Sequence, residues 1–271
     1  MNKQNKIWQS IEKEISLYKR LKIDESIDYE KFYIYSIITH STAIEGSSLT
    51  ELDTQLLFDE GITAKGKPLV HHLMNEDLRK AYIFALSKAK EKTALTPDFF
   101  KELNSLVMNS TGSVTNVLGG SFDSSKGDFR LCGVTAGYGG KSYMNHLKVP
   151  DAVSELCKEI NKRLKEVNNL IDIYNLSFDA HLNLVTIHPW SDGNGRTSRL
   201  IMNYLQSYHE LILTKIYKED RAEYIASLIE SREKENNAPF REFMAQQLLK
   251  MLKETITNYK RSQKSEIKFL F

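Results

Sequence analysis

Helical periodicity, interrupted by a single glycine- and serine-rich stretch, most restricts the folds open to this chain. Only 5 prolines occur in 271 residues, and apolar residues recur at three- and four-residue intervals in most segments. The segment "KIWQSIEKEISLYKRL" places Ile7, Ile11, Ile15 and Tyr18 on one stripe. Further helices are predicted over 30–46, 50–61, 70–92, 97–108, 150–168, 176–187, 195–209, 219–232 and 239–262. The sequence therefore predicts a mainly α fold.

Glycine and serine accumulate over residues 109–150, which is too long for an idle connection in a compact domain. Within it, "DFRLCGV" and "KSYMNHL" flank "TAGYGG" and predict a projecting β-hairpin. The overlapping "TAGYGGKS" nearly matches a phosphate-binding loop, but Thr135 stands where glycine is needed and Pro150 cuts short the following helix. A hairpin turn is the better interpretation.

Composition gives no reason to expect binding to nucleic acid or membranes. The 37 basic and 35 acidic residues leave a net charge of +2. No apolar run approaches the roughly 20 residues of a membrane span. The charged N-terminus lacks a signal-peptide core, and the 2 cysteines, Cys132 and Cys157, form no disulfide framework. We therefore expect a cytoplasmic protein.

The stretch "TIHPWSDGNGRTSRL" after residue 185 has two interpretations. In the first it is a turn followed by arginines that are solvated on a helix face. A calcium-binding loop is excluded, because Trp190 and Ile201 would fall where carboxylates are required. In the second, Pro189 forces His188 out of helical geometry, so that the histidine ends the preceding helix and faces the turn.

The second interpretation explains more of these residues. The glycines in 193–195 allow close approach of a ligand where a new helix begins, and a helix N-terminus attracts anions. Arg196 and Arg199 are three residues apart and hence share a face. Asp192 supplies an oxygen ligand suited to magnesium that is shared with phosphates. Together with His188, these groups predict transfer of a phosphate-bearing group.

The segment "HPWSDGNGRTSR" (188–199) resembles the signature of the Fic-domain family, H-P-F-x-[DE]-G-N-G-R-x-x-R. Every fixed position matches except Trp190, and the resemblance extends over roughly residues 35–245. It implies a Fic-fold helical bundle with a projecting β-hairpin flap (about 127–147). The implied segments are N-terminal helices over 1–95 with an inhibitory helix (about 30–46), a core over 96–245 with the catalytic loop (188–199), and a C-terminal helix end over 246–271.

Members of this family bind a nucleotide, usually ATP, and transfer its AMP to a protein hydroxyl. The resemblance implies that His188 is the general base and that Asp192 holds Mg²⁺ across the phosphates. Arg196 is assigned to the β-phosphate and Arg199 to the γ-phosphate. The implied nucleotide-binding residues are Lys141, Ser142, Tyr143, Met144, Asp192, Gly193, Asn194, Gly195, Arg196, Arg199 and Tyr224. The flap is expected to hold the target protein as an added strand, and a homodimer is plausible for this family.

A shorter segment, "STAIEG", resembles the inhibitory motif of the family, [ST]-x-x-x-E-[GN]. Ser41 and Glu45 are four residues apart and so project from the same side of a helix that Gly46 ends. The resemblance implies that Glu45 pairs with Arg199 and occupies the space of the γ-phosphate. ATP would then bind with its α-phosphate misaligned.

Alternatives remain open at this stage. The same site could remove AMP from a modified protein, with Glu45 orienting the attacking water, or could use another nucleotide. A different class of function is a nucleotide-sensing interaction module in which transfer is incidental. Intact His188 favours catalysis, because a pure binding module needs no base.

Overall fold

The computed structural model describes residues 3–25, 29–135 and 142–268. It confirms the mainly α fold. The helices are α1 (Lys3–Arg20), α2 (Tyr29–Ile44), α3 (Glu51–Glu60), α4 (Leu69–Lys90), α5 (Pro97–Val107), α6 (Val149–Glu166), α7 (Leu170–Ile187), α8 (Asn194–Tyr208), α9 (Arg221–Glu233) and α10 (Ala238–Lys268). No helix in the described ranges is long and apolar enough to cross a membrane.

Local capping explains where several helices begin. Thr50 and Asp53 form a reciprocal capping box at the start of α3. The Thr96 side chain accepts from the amide of Phe99 at the start of α5. The start of α7 at residue 170, before the predicted 176, has the same cause, because the Asn169 side chain accepts from the amide of Asp172.

The two-stranded sheet lies earlier in the chain than predicted. Strands β1 (Val114–Val117) and β2 (Gly120–Asp123) pair antiparallel through a tight turn at residues 118–119. In the predicted flap, the described residues form one antiparallel bridge, Thr135 with Ser142. The described residues of the predicted hairpin, 128–135 and 142–147, form no regular strand, so the prediction of strands at 128–134 and 141–147 was wrong for that part.

The chain divides into two compact units, one comprising 1–37 with 214–271 and the other comprising 38–213. In the first unit, α10 packs against both α1 and α9. In the second, α8 packs against α4, α5 and α7. The second unit contains both sequence motifs, at residues 41–46 and 188–199, whereas Tyr224 belongs to the first.

Helix α8 is the centre of the second unit. Its residues from Arg196 to Gln206 are all buried. Two of its buried polar side chains bond to neighbouring helices: Tyr82 donates to Asn203 at 2.6 Å, and Gln206 donates to Ser177 at 3.0 Å. These bonds help to fix the position of α8, and therefore of the arginines in its first two turns.

Candidate active site

His188 ends α7 in the left-handed conformation, with φ 53° and ψ 61°. Its amide still bonds to the carbonyl of Leu184, and Pro189 prevents the helix from continuing. The ring atom Nδ1 lies 3.3 Å from the carbonyl of Val185. A proton on Nδ1 directed at that carbonyl leaves the lone pair on Nε2, the tautomer a general base requires. The Tyr143 ring stacks on the imidazole, with centroids 3.8 Å apart.

Trp190, the one departure from the family signature, anchors the loop after His188. Its side chain is fully buried, and the indole N–H donates to the carbonyl of Gly127 at 3.0 Å. The Asn194 side chain accepts from the Trp190 amide at 3.1 Å and donates to the Trp190 carbonyl at 2.9 Å. Asn194 therefore holds the loop with its side chain and offers only its backbone to a ligand.

The N-terminus of α8 forms an anion site lined by backbone amides. Gly193 precedes the helix with φ 79° and provides no side-chain cap, and the first amide to bond back is that of Thr197. A Cβ at Gly193 would lie 2.6 Å from the Asn104 amide nitrogen and 2.9 Å from Met108. Only glycine fits, and the amides of residues 194–196 precede the first bonded turn.

Asp192 is the acidic residue nearest this helix end in the chain, and its side chain is 68% exposed. Oδ1 accepts from the Gly193 amide and lies 3.4 Å from Arg196 Nη2. Oδ2 has no partner among the described residues. No cluster of three histidines, cysteines or acidic residues suited to a metal occurs in that part of the chain. A metal here would have one carboxylate ligand, which fits Mg²⁺ shared with phosphates.

Arg196 is buried, with 3% of its surface exposed. Nη2 contacts Met108 Sδ at 3.0 Å, and Nη1 lies 3.5 Å from the carbonyl of Val107. Nε is buried without a hydrogen-bond partner in the described ranges. The interpretation of the two arginines as solvated residues on a helix face is therefore wrong. A buried guanidinium with an unused donor suits an anionic ligand.

Arg199, also 3% exposed, bonds to both residues of the predicted inhibitory pair. Nε donates to Ser41 Oγ at 2.7 Å, and Nη2 donates to the Ser41 carbonyl at 2.9 Å and to Glu45 Oε1 at 2.7 Å. A Cβ at Gly195 would lie 2.3 Å from the same Glu45 oxygen. The Glu45 carboxylate thus rests against the first turn of α8, and Gly46 turns the chain away with φ 102°.

The segment carrying Ser41 and Glu45 is held by a buried amide that the sequence did not reveal. Asn75, fully buried on α4, accepts from Thr42 Oγ1 at 3.3 Å and from Thr54 Oγ1 at 3.4 Å. Its Nδ2 donates to the His71 carbonyl at 2.8 Å and to Ser47 Oγ at 3.4 Å. Nothing in the spacing around Asn75 signals this role, because three of these partners, Thr42, Ser47 and Thr54, are 21 to 33 residues away.

The flap residues and Tyr224 are placed as follows. Ser142 pairs with Thr135, Tyr143 covers the His188 ring, and the Met144 carbonyl accepts from Arg130. Lys141 lies outside the described residues. Tyr224 is buried in the first unit, and its ring lies 6.0 Å from that of Phe243. The nucleotide contacts assigned to these residues stay predictions.

Comparisons with known proteins agree with this geometry. Residues 94–206 match the sequence model of the Fic/DOC family. The chain is 29% identical over 203 residues to Protein adenylyltransferase fic-1 of Caenorhabditis elegans, which covers 73% of this chain and 36% of the relative. It is 31% identical over 191 residues to Protein adenylyltransferase Fic of Drosophila grimshawi, which covers 69% of this chain and 36% of the relative. The chain thus spans little more than a third of the length of these relatives.

Solved structures with the same fold include a Fic domain containing signaling protein from Bacteroides thetaiotaomicron. It superposes with a TM-score of 0.78 at 20% identity, over 93% of this chain and 97% of that one. A part of Fic-1 from C. elegans superposes with a TM-score of 0.74 at 21% identity, over 96% of this chain and 74% of that one. These likenesses show the fold, and the family match over residues 94–206, which includes the 188–199 signature, shows that the chain contains a Fic/DOC domain.

Proposed function

We propose that this chain transfers AMP from ATP to a hydroxyl side chain of a target protein and releases pyrophosphate. The observation that carries the proposal is the N-terminus of α8. There the amides of residues 194–196 and the buried donor of Arg196 follow directly after a histidine whose Nδ1 lies 3.3 Å from the carbonyl of Val185. The names of the relatives, which are protein adenylyltransferases, support the same activity.

In the proposed step, Nε2 of His188 takes the proton of the target hydroxyl while the hydroxyl oxygen attacks the α-phosphorus. The bond between that phosphorus and the oxygen bridging to the β-phosphate breaks, and the electron pair leaves with pyrophosphate. The α8 amides and Arg196 stabilise the negative charge on the phosphates. Asp192 would hold Mg²⁺ together with the phosphates, and the ion would neutralise part of their charge.

We also propose that Glu45 restrains this activity. Its carboxylate bonds to Arg199 and contacts Gly195, so it occupies part of the anion site at the helix N-terminus. An ATP γ-phosphate that pairs with Arg199 must displace it. We retain the flap as the binding place of the target segment, and a homodimer and a cytoplasmic location as expectations from the family and the composition.

The proposal is tested by incubating the purified chain with Mg²⁺, ATP labelled on the α-phosphate and cell lysate. His188→Ala should lower protein labelling by roughly 10²–10⁴-fold, the usual contribution of a general base. His188→Asn serves as a second variant because asparagine tolerates the left-handed conformation. His209→Ala, at the end of α8 opposite the anion site, is the matched control and should label like wild type.

Equal labelling by wild type and both His188 variants would refute the transferase. Nucleotide binding without labelling in any variant would instead support the interaction module. Loss of label from previously modified proteins, dependent on His188 and Glu45, would support removal of AMP.

A further inference from the structure

Arg130 joins three separate segments of the second unit through one buried guanidinium. Its side chain is 1% exposed. Nε donates to the carbonyl of His188 at 2.7 Å, Nη1 donates to the carbonyl of Cys132 at 2.7 Å, and Nη2 donates to the carbonyl of Met144. Its own amide donates to the carbonyl of Pro189 at 3.0 Å. The bonded carbonyls belong to the first flap arm (128–135), the second flap arm (142–147) and the catalytic loop.

This cation is buried without a carboxylate. No ion pair of Arg130 occurs among the described residues, and its bonds are all to main-chain oxygens. Burying an unpaired charge is costly unless hydrogen bonds replace its hydration. Desolvation lowers the pKa of Arg130, an effect that the neighbouring Cys132 opposes. Because burial of this charge costs free energy, we infer that the hydrogen bonds of the Arg130 guanidinium are themselves needed.

Only arginine can make these three bonds together. The guanidinium is planar and rigid and directs its donors in fixed, diverging directions, whereas lysine has one nitrogen at the end of a flexible chain. Loss of the guanidinium would leave the carbonyls of Cys132 and Met144 without the donor group that they share. Between these arms the ladder consists of the Thr135–Ser142 bridge and the bond from the Tyr143 amide to the Val134 carbonyl at 3.0 Å.

The third bond acts on the catalytic histidine. A non-glycine residue in the left-handed region is strained and persists only where its surroundings fix it. Arg130 holds the His188 carbonyl, and Tyr143, next to the clamped Met144, stacks on the His188 ring. The direction of the imidazole and the position of the second flap arm are therefore set by the same side chain.

We infer that Arg130 is a positioning residue that locks the flap to His188, so that a hydroxyl presented on the flap meets the base in register. The inference rests on the proposed transfer reaction. It predicts that loss of the guanidinium impairs the alignment of the protein acceptor far more than nucleotide binding, because the α8 anion site and Arg196 do not contact Arg130 and only the nucleotide contacts assigned to the flap would be disturbed.

The test uses Arg130→Met and the charge-retaining Arg130→Lys, with Arg163→Met as the matched control. Arg163 is a partly buried arginine of α6 that pairs with Asp179 of α7 at 3.0 Å. Amide hydrogen exchange, ATP affinity and the kcat of AMP transfer are measured for each variant. Exchange does not depend on activity, so it examines the clamp even if the proposed reaction is wrong.

Both Arg130 variants should show roughly tenfold or faster exchange at the amides of residues 130 and 143, with α7 and α8 unchanged. The kcat of transfer should fall by about 100-fold, the usual effect of a misplacement near 1 Å, while ATP affinity stays within about threefold. Lysine should not rescue, because charge alone does not bridge three carbonyls.

The inference is overturned by unchanged exchange at the flap, by wild-type transfer in Arg130→Lys, by a parallel loss of ATP affinity, or by an equal loss of transfer in Arg163→Met. Absence of transfer in wild type would refute the proposed function, and the exchange result alone would then decide whether Arg130 holds the flap arms to the catalytic loop.

Discussion

Removing the Glu45 carboxylate should raise the rate of the proposed AMP transfer and slightly destabilise the protein. Glu45 follows the last residue of α2, so Glu45→Gly does not place glycine inside a helix. The substitution deletes the bond between Oε1 and Arg199 Nη2 and clears the space against Gly195. The γ-phosphate of ATP then meets Arg199 without a competing anion.

The size of the effect follows from the burial of the pair. A hydrogen bond between charged groups contributes about 1.5–3 kcal/mol. The Glu45 side chain keeps 34% of its surface exposed, so solvent screening reduces this to about 1–1.5 kcal/mol. Arg199 retains both bonds to Ser41 and is not left unpaired. Loss of the bond to Glu45 therefore shifts the equilibrium about tenfold toward the site that Glu45 does not occupy. It should also lower the Tm by roughly 2–5 °C.

AMP transfer is measured at saturating Mg²⁺-ATP, with self-modification as the first signal, and Tm is measured without nucleotide. Glu45→Gly should transfer AMP about ten times faster than wild type. Glu45→Gln keeps a hydrogen-bonding group without the charge and should give a smaller increase. Glu51→Gln is the matched control, since Glu51 pairs with His40 at 3.3 Å and does not contact Arg199. If Glu45→Gly is no faster than wild type, or Glu51→Gln is equally activated, restraint by Glu45 is wrong.

Three further outcomes are expected. Gly193→Ala should lower the free energy of unfolding by about 2–3 kcal/mol in urea titrations, because its left-handed φ costs about 1–2 kcal/mol and the added methyl clashes with α5 side chains; an unchanged midpoint would contradict this. Trp190→Phe restores the usual family residue but should cost about 1–3 kcal/mol by the same measurement, since the Gly127 carbonyl loses its donor; a stabilised variant would show that the bond is unimportant. Thiol reagents should modify Cys132 alone in the native protein, because burial of Cys157 raises the pKa of its thiol to about 12; two modified thiols without denaturant would refute that.

Features fixed by neighbours in the chain could be predicted from the sequence. Thr50, Thr96 and Gly61 mark helix ends through bonds to residues a few positions away, so nearly every helix was placed correctly. The catalytic loop is local in the same sense, because Pro189 ends α7 and Gly193 begins α8. The spacing of Arg196 and Arg199 predicted that they share a face of the helix, but it did not predict that both are buried.

Features that depend on distant contacts could not be predicted. Arg130 donates to the carbonyl of His188, 58 residues later in the chain. Asn75 accepts hydrogen bonds from the hydroxyl groups of Thr42 and Thr54, which lie in two other segments. The regular hairpin at 114–123 was missed in a glycine-rich stretch where several short pairings have similar local preference. In each case the deciding interaction joins segments whose proximity is set by the packing of the helices.

In the proposed function, competition for one anion site would link the position of Glu45 to nucleotide binding. Arg199 is buried, and the Glu45 carboxylate that bonds to it lies against Gly195 in the first turn of α8. In the proposed function the γ-phosphate pairs with Arg199 and therefore takes the place of the Glu45 carboxylate at Nη2. The two effects must then be equal in free energy. The amount by which docked Glu45 weakens productive binding of the γ-phosphate is the amount by which bound ATP weakens the docking of Glu45. Substitutions of Asn75, which touch no nucleotide contact, should then alter ATP binding only through the docking of residues 41–47.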